Sequence, residues 1–85
     1  MPEIEMYCTS TCPFCMRAEK LLKSKGVKIN KINVENNQGK LKEMLKRSKQ
    51  NTVPQIFIDG KHIGGFDDLS ELDIMDELDP LLGIE

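Results

Sequence analysis

The sequence has no tryptophan, a single tyrosine (Tyr7) and three phenylalanines, so aromatic residues make up only 5% of its 85 positions. A surface that tracks nucleic acid interleaves aromatic faces with a basic footprint. With a net charge of -2 and a pI near 5.4, no nucleic-acid partner is expected. Long apolar runs are also missing. Nothing approaches the roughly 20 consecutive apolar residues of a membrane span, and the opening Met1-Pro2-Glu3-Ile4-Glu5-Met6-Tyr7 has neither the basic nor the apolar region of an export signal. The expectation is a protein with no membrane partner and a cytoplasmic location. Cysteine is confined to Cys8, Cys12 and Cys15, which excludes the dispersed disulfide framework of small secreted domains and marks a local chemical site.

What is present suits one domain spanning 1–85, expected to act as a monomer. A chain this short buries only about 60% of the surface that its unfolded form exposes, so an active site must be shallow. Charge is unevenly spread. Residues 1–49 hold 11 Lys and Arg against 5 Asp and Glu, whereas 50–85 hold 1 against 9, and the basic half would draw in a small anion.

Residues 4–8 alternate as a short strand and run into the loop Thr9-Ser10-Thr11. Pro13 stands where a first helical residue belongs, and Cys15, Ala18, Leu21 and Leu22 keep a helical spacing up to Gly26, predicting a helix over 13–25. Val27 to Val34 read as one strand with a wet face. Asn36-Asn37 offers a cap for a helix over 38–48 with Leu41, Met44 and Leu45 inward. Gln55–Ile58 and Lys61–Ile63 flank Asp59-Gly60, the signal of an antiparallel hairpin. Asp68 and Glu71 form a candidate capping box for a last helix that carries Leu69, Leu72, Met75 and Leu78 inward and is closed by Pro80. Met16, Met44 and Met75 read as helix filling. The order is β-α-β-α-β-β-α.

In Cys12-Pro13-Phe14-Cys15 the first thiol lies at a helix N-terminus, where unpaired N–H groups favour the thiolate, the form that attacks a disulfide. Cys15, one near-turn further on and more covered, is placed to resolve a mixed disulfide formed on Cys12. Pro13 fixes the turn and removes an N–H that has no helical partner. The same spacing also ligates metals. The alternative is therefore a metal or iron–sulfur carrier using these cysteines, for instance a Cys₃His zinc set of Cys8, Cys12, Cys15 and His62; a pair that opens a helix after a strand favours redox work, with no metal site. Cys8 reads as a small hydrophobe at the sheet, and Phe14 as an exposed ring beside the reactive sulfur.

Cys12-Pro13-Phe14-Cys15, Thr52-Val53-Pro54 and Gly64-Gly65-Phe66-Asp67-Asp68 resemble, in order and spacing, the three signature segments of the dithiol glutaredoxins, over essentially the whole chain. The resemblance implies a thioredoxin-like α/β fold with sheet order 2-1-3-4 and a cis Val53-Pro54 bond. It also implies reduction of protein–glutathione mixed disulfides and of small or protein disulfides, with glutathione as co-substrate, no tightly bound cofactor, and glutathionylated or disulfide-containing proteins as partners. Carried over by position, Cys12 takes the glutathionyl group and Cys15 serves dithiol substrates. Thr9, Phe14, Gln50, Thr52, Val53, Pro54, Gly65, Phe66 and Asp67 are the implied glutathione contacts, with the Val53 backbone on the cysteinyl part and Phe66 and Asp67 on the γ-glutamyl end. Phe14 stands where the family commonly has tyrosine. The family also often carries a lysine at position 9 and an arginine or glutamine at position 50; Thr9 removes a cation beside the glycyl carboxylate, with Lys49 or Arg47 as substitutes.

Overall fold

The computed structural model describes residues 3–84. The elements are β1 (Ile4–Cys8), α1 (Pro13–Ser24), β2 (Asn30–Asn33), α2 (Gln38–Ser48), β3 (Gln55–Ile58), β4 (Lys61–Gly64), α3 (Phe66–Ile74) and a short α4 (Leu78–Leu81). One sheet has the order β2-β1-β3-β4, with β1 parallel to β2 and antiparallel to β3, and β3 antiparallel to β4. This is the expected thioredoxin-like topology with α4 added.

Alternation along β1 sorts the core into two layers. Ile4, Met6 and Cys8 face Cys15, Ala18 and Leu22 of α1, Leu69 of α3 and Leu78 of α4, while Tyr7 turns to the opposite face with Val34, Met44 and Phe57. Because both faces of the sheet are covered, β3 is buried at all its positions. The Tyr7 hydroxyl crosses to α2, donating to Glu43 Oε2 at 2.5 Å and accepting from Arg47 Nη1 at 2.7 Å. Among the described residues no helix is long and apolar enough to cross a membrane.

Three expectations are corrected. The second strand is limited to Asn30–Asn33 because its parallel pairing with β1 starts at Glu5↔Asn30. The alternation slips where Asn30 and Lys31 adjoin, so Val27 and Ile29 pack on the first layer and Ile32 on the second. The last helix begins at Phe66, two residues before Asp68. Asp68 is therefore inside the first turn, where its Oδ2 accepts the Gly65 N–H at 3.1 Å; it is not the cap paired with Glu71. That helix also stops before Pro80. Asp76 turns to φ 59, the Asp76 N–H donates to the Asp73 carbonyl at 3.1 Å and the Glu77 N–H to Leu72 at 2.8 Å, a Schellman ending with aspartate in the left-handed position. Pro80 falls in the first turn of α4, where its missing N–H has no helical partner to lose.

Consequently Met75 lies 58% exposed past the end of α3, and Met16 (57%) and Leu45 (37%) face outward on their helices. Met44 alone of the three methionines fills core. Elsewhere the local signals hold: Asn37 Oδ1 caps α2 by accepting the Lys40 N–H at 3.1 Å, and Gly26 takes φ 77 after α1.

Candidate functional site

Cys12 is the N-cap of α1, in extended geometry (φ -85, ψ 116), and Pro13 is the first helical residue. The Cys12 carbonyl accepts the Met16 N–H at 3.2 Å, which closes the first turn and leaves the sulfur beside the positive end of the helix. Across from it, the Val53-Pro54 bond is cis, and Cys12 Sγ donates to the Val53 carbonyl oxygen at 3.8 Å. One turn on, Cys15 is only 3% exposed. Burial pushes its thiol up to about 12, with the Thr9 N–H opposing, so near neutral pH it is a protonated, sheltered partner. Neither is joined in a disulfide in the structure.

Beside Cys12 runs a groove of about 230 Å³ lined by Phe14, Gln50, Thr52, Val53, Pro54, Gly65, Phe66, Asp67 and Asp68. Its walls come from three stretches far apart in sequence. Phe14, half exposed, sets its ring 6.3 Å from that of Phe66 and carries the Arg17 guanidinium 5.4 Å from its centroid. At the far wall the N-terminus of α3 opens with Gly65, Phe66 and Asp67. Gly64 adopts φ 121, and a Cβ there would run into Asp68 Oδ2; glycine admits the carboxylate that holds this turn.

Eight of the nine implied contact positions thus share one groove. Thr9 does not. It lines a different depression, with Met6, Cys8, Cys15 and Met16. Arg47 is also taken: its guanidinium pairs with Glu5 at 3.0 and 3.2 Å and stacks 4.0 Å from the Phe57 centroid, under α2. It cannot stand in for a cation at position 9.

Sequence reasoning missed Gln55, the fully buried first residue of β3. Its Nε2 donates to Gln50 Oε1 at 3.0 Å, the Thr52 carbonyl at 3.0 Å and Thr52 Oγ1 at 3.2 Å, while its Oε1 meets His62 Nε2 at 2.7 Å. One amide thereby ties the 50–52 wall to the sheet. The signal was a polar residue at the head of an otherwise apolar strand. His62, bound there and packed on Phe57 at 5.0 Å, belongs to the second layer, away from Cys8. The Cys₃His set is not assembled, and no group of three or more potential ligands occurs among the described residues.

A nucleophile at a helix start, with a covered thiol one turn behind it, is an arrangement suited to thiol–disulfide exchange. On this sheet it defines an oxidoreductase of the thioredoxin-like class. The chain belongs to the glutaredoxin family, whose family model matches residues 4–63. It is 54% identical to glutaredoxin 3 of Escherichia coli strain K12 over 82 residues, covering 96% of this chain and 99% of that protein. Among solved structures, the buckwheat glutaredoxin–glutathione complex superposes with a TM-score of 0.87 at 30% identity, covering 96% of this chain and 77% of that one. The solution structure of glutaredoxin from Brucella melitensis gives 0.85 at 43% identity, covering 96% and 89%.

Proposed function

We propose that the protein reduces protein–glutathione mixed disulfides, and small or protein disulfides, with glutathione as reductant, in a reducing compartment such as the cytoplasm. The observation that carries this reading is the groove itself: a peptide-sized channel that begins where Cys12 meets Val53 and ends at the N-terminus of α3. A tripeptide thiol laid along it has its sulfur at Cys12, its central backbone against Val53, and its γ-glutamyl carboxylate at the N–H groups that open α3, with Asp67 for the amine.

In the monothiol route the Cys12 thiolate attacks the glutathionyl sulfur of a mixed disulfide. The protein thiolate leaves and takes a proton. A second glutathione then attacks the Cys12–glutathione bond, releasing glutathione disulfide and the Cys12 thiolate. With a protein disulfide, Cys12 forms the mixed disulfide and Cys15 displaces the substrate thiol, leaving Cys12–Cys15 oxidised; two glutathiones reduce it. Burial of Cys15 keeps it from competing for the first attack.

The test is turnover of a glutathionylated disulfide with glutathione, glutathione reductase and NADPH. Turnover that saturates with glutathionylated substrate supports the reading. Equal rates with an unglutathionylated disulfide of similar size would refute a role for the groove.

A further inference from the structure

The route above uses two of the three cysteines. Cys8, at the end of β1, is 7% exposed and packs in the same core layer as Cys15, with Cys12 against that layer. Cys8 and Cys15 also line one open depression of about 500 Å³ together with Met6, Thr9, Ser10 and Met16. Its rim holds Glu19 and Lys31, paired with each other at 3.2 Å. Cys15 thus shares with Cys8 both a core layer and one depression, while Cys12 packs against the same layer from the start of α1.

We infer that Cys8 is a second resolving thiol, which takes over the Cys12–Cys15 disulfide and stores it as Cys8–Cys15. The step is an internal exchange. The Cys8 thiolate attacks Cys15 Sγ, the Cys8–Cys15 bond forms as the Cys12–Cys15 bond breaks, and Cys12 leaves as thiolate at the end of α1; the Cys8 proton passes to solvent. One disulfide is consumed and one formed, so no oxidant enters beyond the substrate disulfide that made the first bond.

The consequence is a change of mode. With the disulfide parked behind α1, Cys12 is free to accept a glutathionyl group, but its resolving partner is occupied. The protein then continues to remove glutathione from mixed disulfides and no longer reduces protein disulfides by the dithiol route. Exchange is slow near neutral pH, because burial pushes the Cys8 thiol up. Around it Lys31 on β2 favours the thiolate, while Glu19 on α1 and the neighbouring Cys12 oppose it. Prompt reduction by glutathione outruns parking; scarcity of glutathione permits it.

This inference rests on Cys12–Cys15 forming during turnover, and one arm of its test does not. In the first arm the oxidised wild-type protein is held without reductant, quenched in acid at intervals, and mapped by non-reducing peptide mass spectrometry. The expected result is Cys12–Cys15 giving way to Cys8–Cys15 with Cys12 free, faster at pH 9 than at pH 7. In the second arm, Cys12→Ser, which cannot make the first disulfide, is treated with oxidised glutathione; an internal Cys8–Cys15 bond is expected. Cys8→Ser should keep wild-type turnover under excess glutathione and show only Cys12–Cys15 on oxidation. If the second arm leaves both thiols free or individually glutathionylated, or if Cys12–Cys15 persists unchanged in the first, Cys8 is no resolving thiol. Failure of glutathione-dependent turnover, with the Cys8–Cys15 bond still formed, would instead count against the proposed function.

Discussion

Gln55 and Gln50 are joined by their side-chain amides, with Gln55 Nε2 donating to Gln50 Oε1 at 3.0 Å. Since Gln55 is fully buried and Gln50 lines the groove, this contact fixes a wall of the site from within the core. Gln55→Leu keeps the volume but removes the donors to Gln50 and Thr52 and the acceptor for His62. It should cost about 1–3 kcal/mol, the usual penalty for stranding buried polar partners, read as a lower urea midpoint. The Michaelis constant for glutathionylated substrate should rise several-fold while the alkylation rate of Cys12 stays near wild type. Unchanged kinetics in a destabilised variant would make Gln55 a core residue only.

The two active-site thiols should separate cleanly by substitution. Cys12→Ser is expected to abolish turnover. Cys15→Ser should retain deglutathionylation, because incoming glutathione serves as resolver, while losing reduction of protein disulfides that need the second thiol. Equal loss of both activities in both variants would contradict the division of labour.

Stability should fall at alkaline pH. Burial pushes the Cys15 thiol up to about 12 and raises those of Cys8 and the Tyr7 hydroxyl as well. An acid whose folded value lies above its unfolded one (about 8.5 for cysteine) binds more protons when folded. Its contribution is whole below the unfolded value and is lost as pH climbs toward the folded one. Between about pH 9 and 12 Cys15 alone should remove up to about 1.4 kcal/mol per pH unit. Urea midpoints at pH 7 and 10.5 test this, with Cys15→Ser giving the shallower fall; a midpoint that does not move would refute it.

How far the sequence carried follows from the kind of information each feature needs. Cys12, Pro13 and Phe14 are set by local rules: a proline at the first helical position, a thiol at the cap and a ring with no core to enter. These were legible, as was the Asp59-Gly60 turn. The depression that Thr9 lines, shared with Cys8 and Cys15, depends on how the chain leaves β1, a tertiary matter with no sequence period. The end of α3 was misread because aspartate, not glycine, fills its left-handed position, and Leu78 kept the apolar spacing across the break. Gln55 escaped because a buried amide has no pattern; its value appears only when Gln50, Thr52 and His62 converge on it.

Asp67 and Asp68 begin α3 side by side and should differ in what their loss does. Asp68 Oδ2 accepts the Gly65 N–H at 3.1 Å, so Asp68→Ala should cost about 0.5–2 kcal/mol, as a lost cap does. Asp67 is exposed on the groove wall. Its removal should cost only its interaction with the helix dipole, about 0.3–1 kcal/mol. If Asp67 receives the γ-glutamyl amine, Asp67→Ala should raise the Michaelis constant for glutathione and leave Cys12 alkylation unchanged, because the lost contact is far from the sulfur and equal in ground and transition states. Asp68→Ala, by loosening the Gly65 turn, should melt earlier with a smaller kinetic change. Should the Asp67 variant keep wild-type glutathione kinetics, the γ-glutamyl end docks on the α3 backbone without that carboxylate.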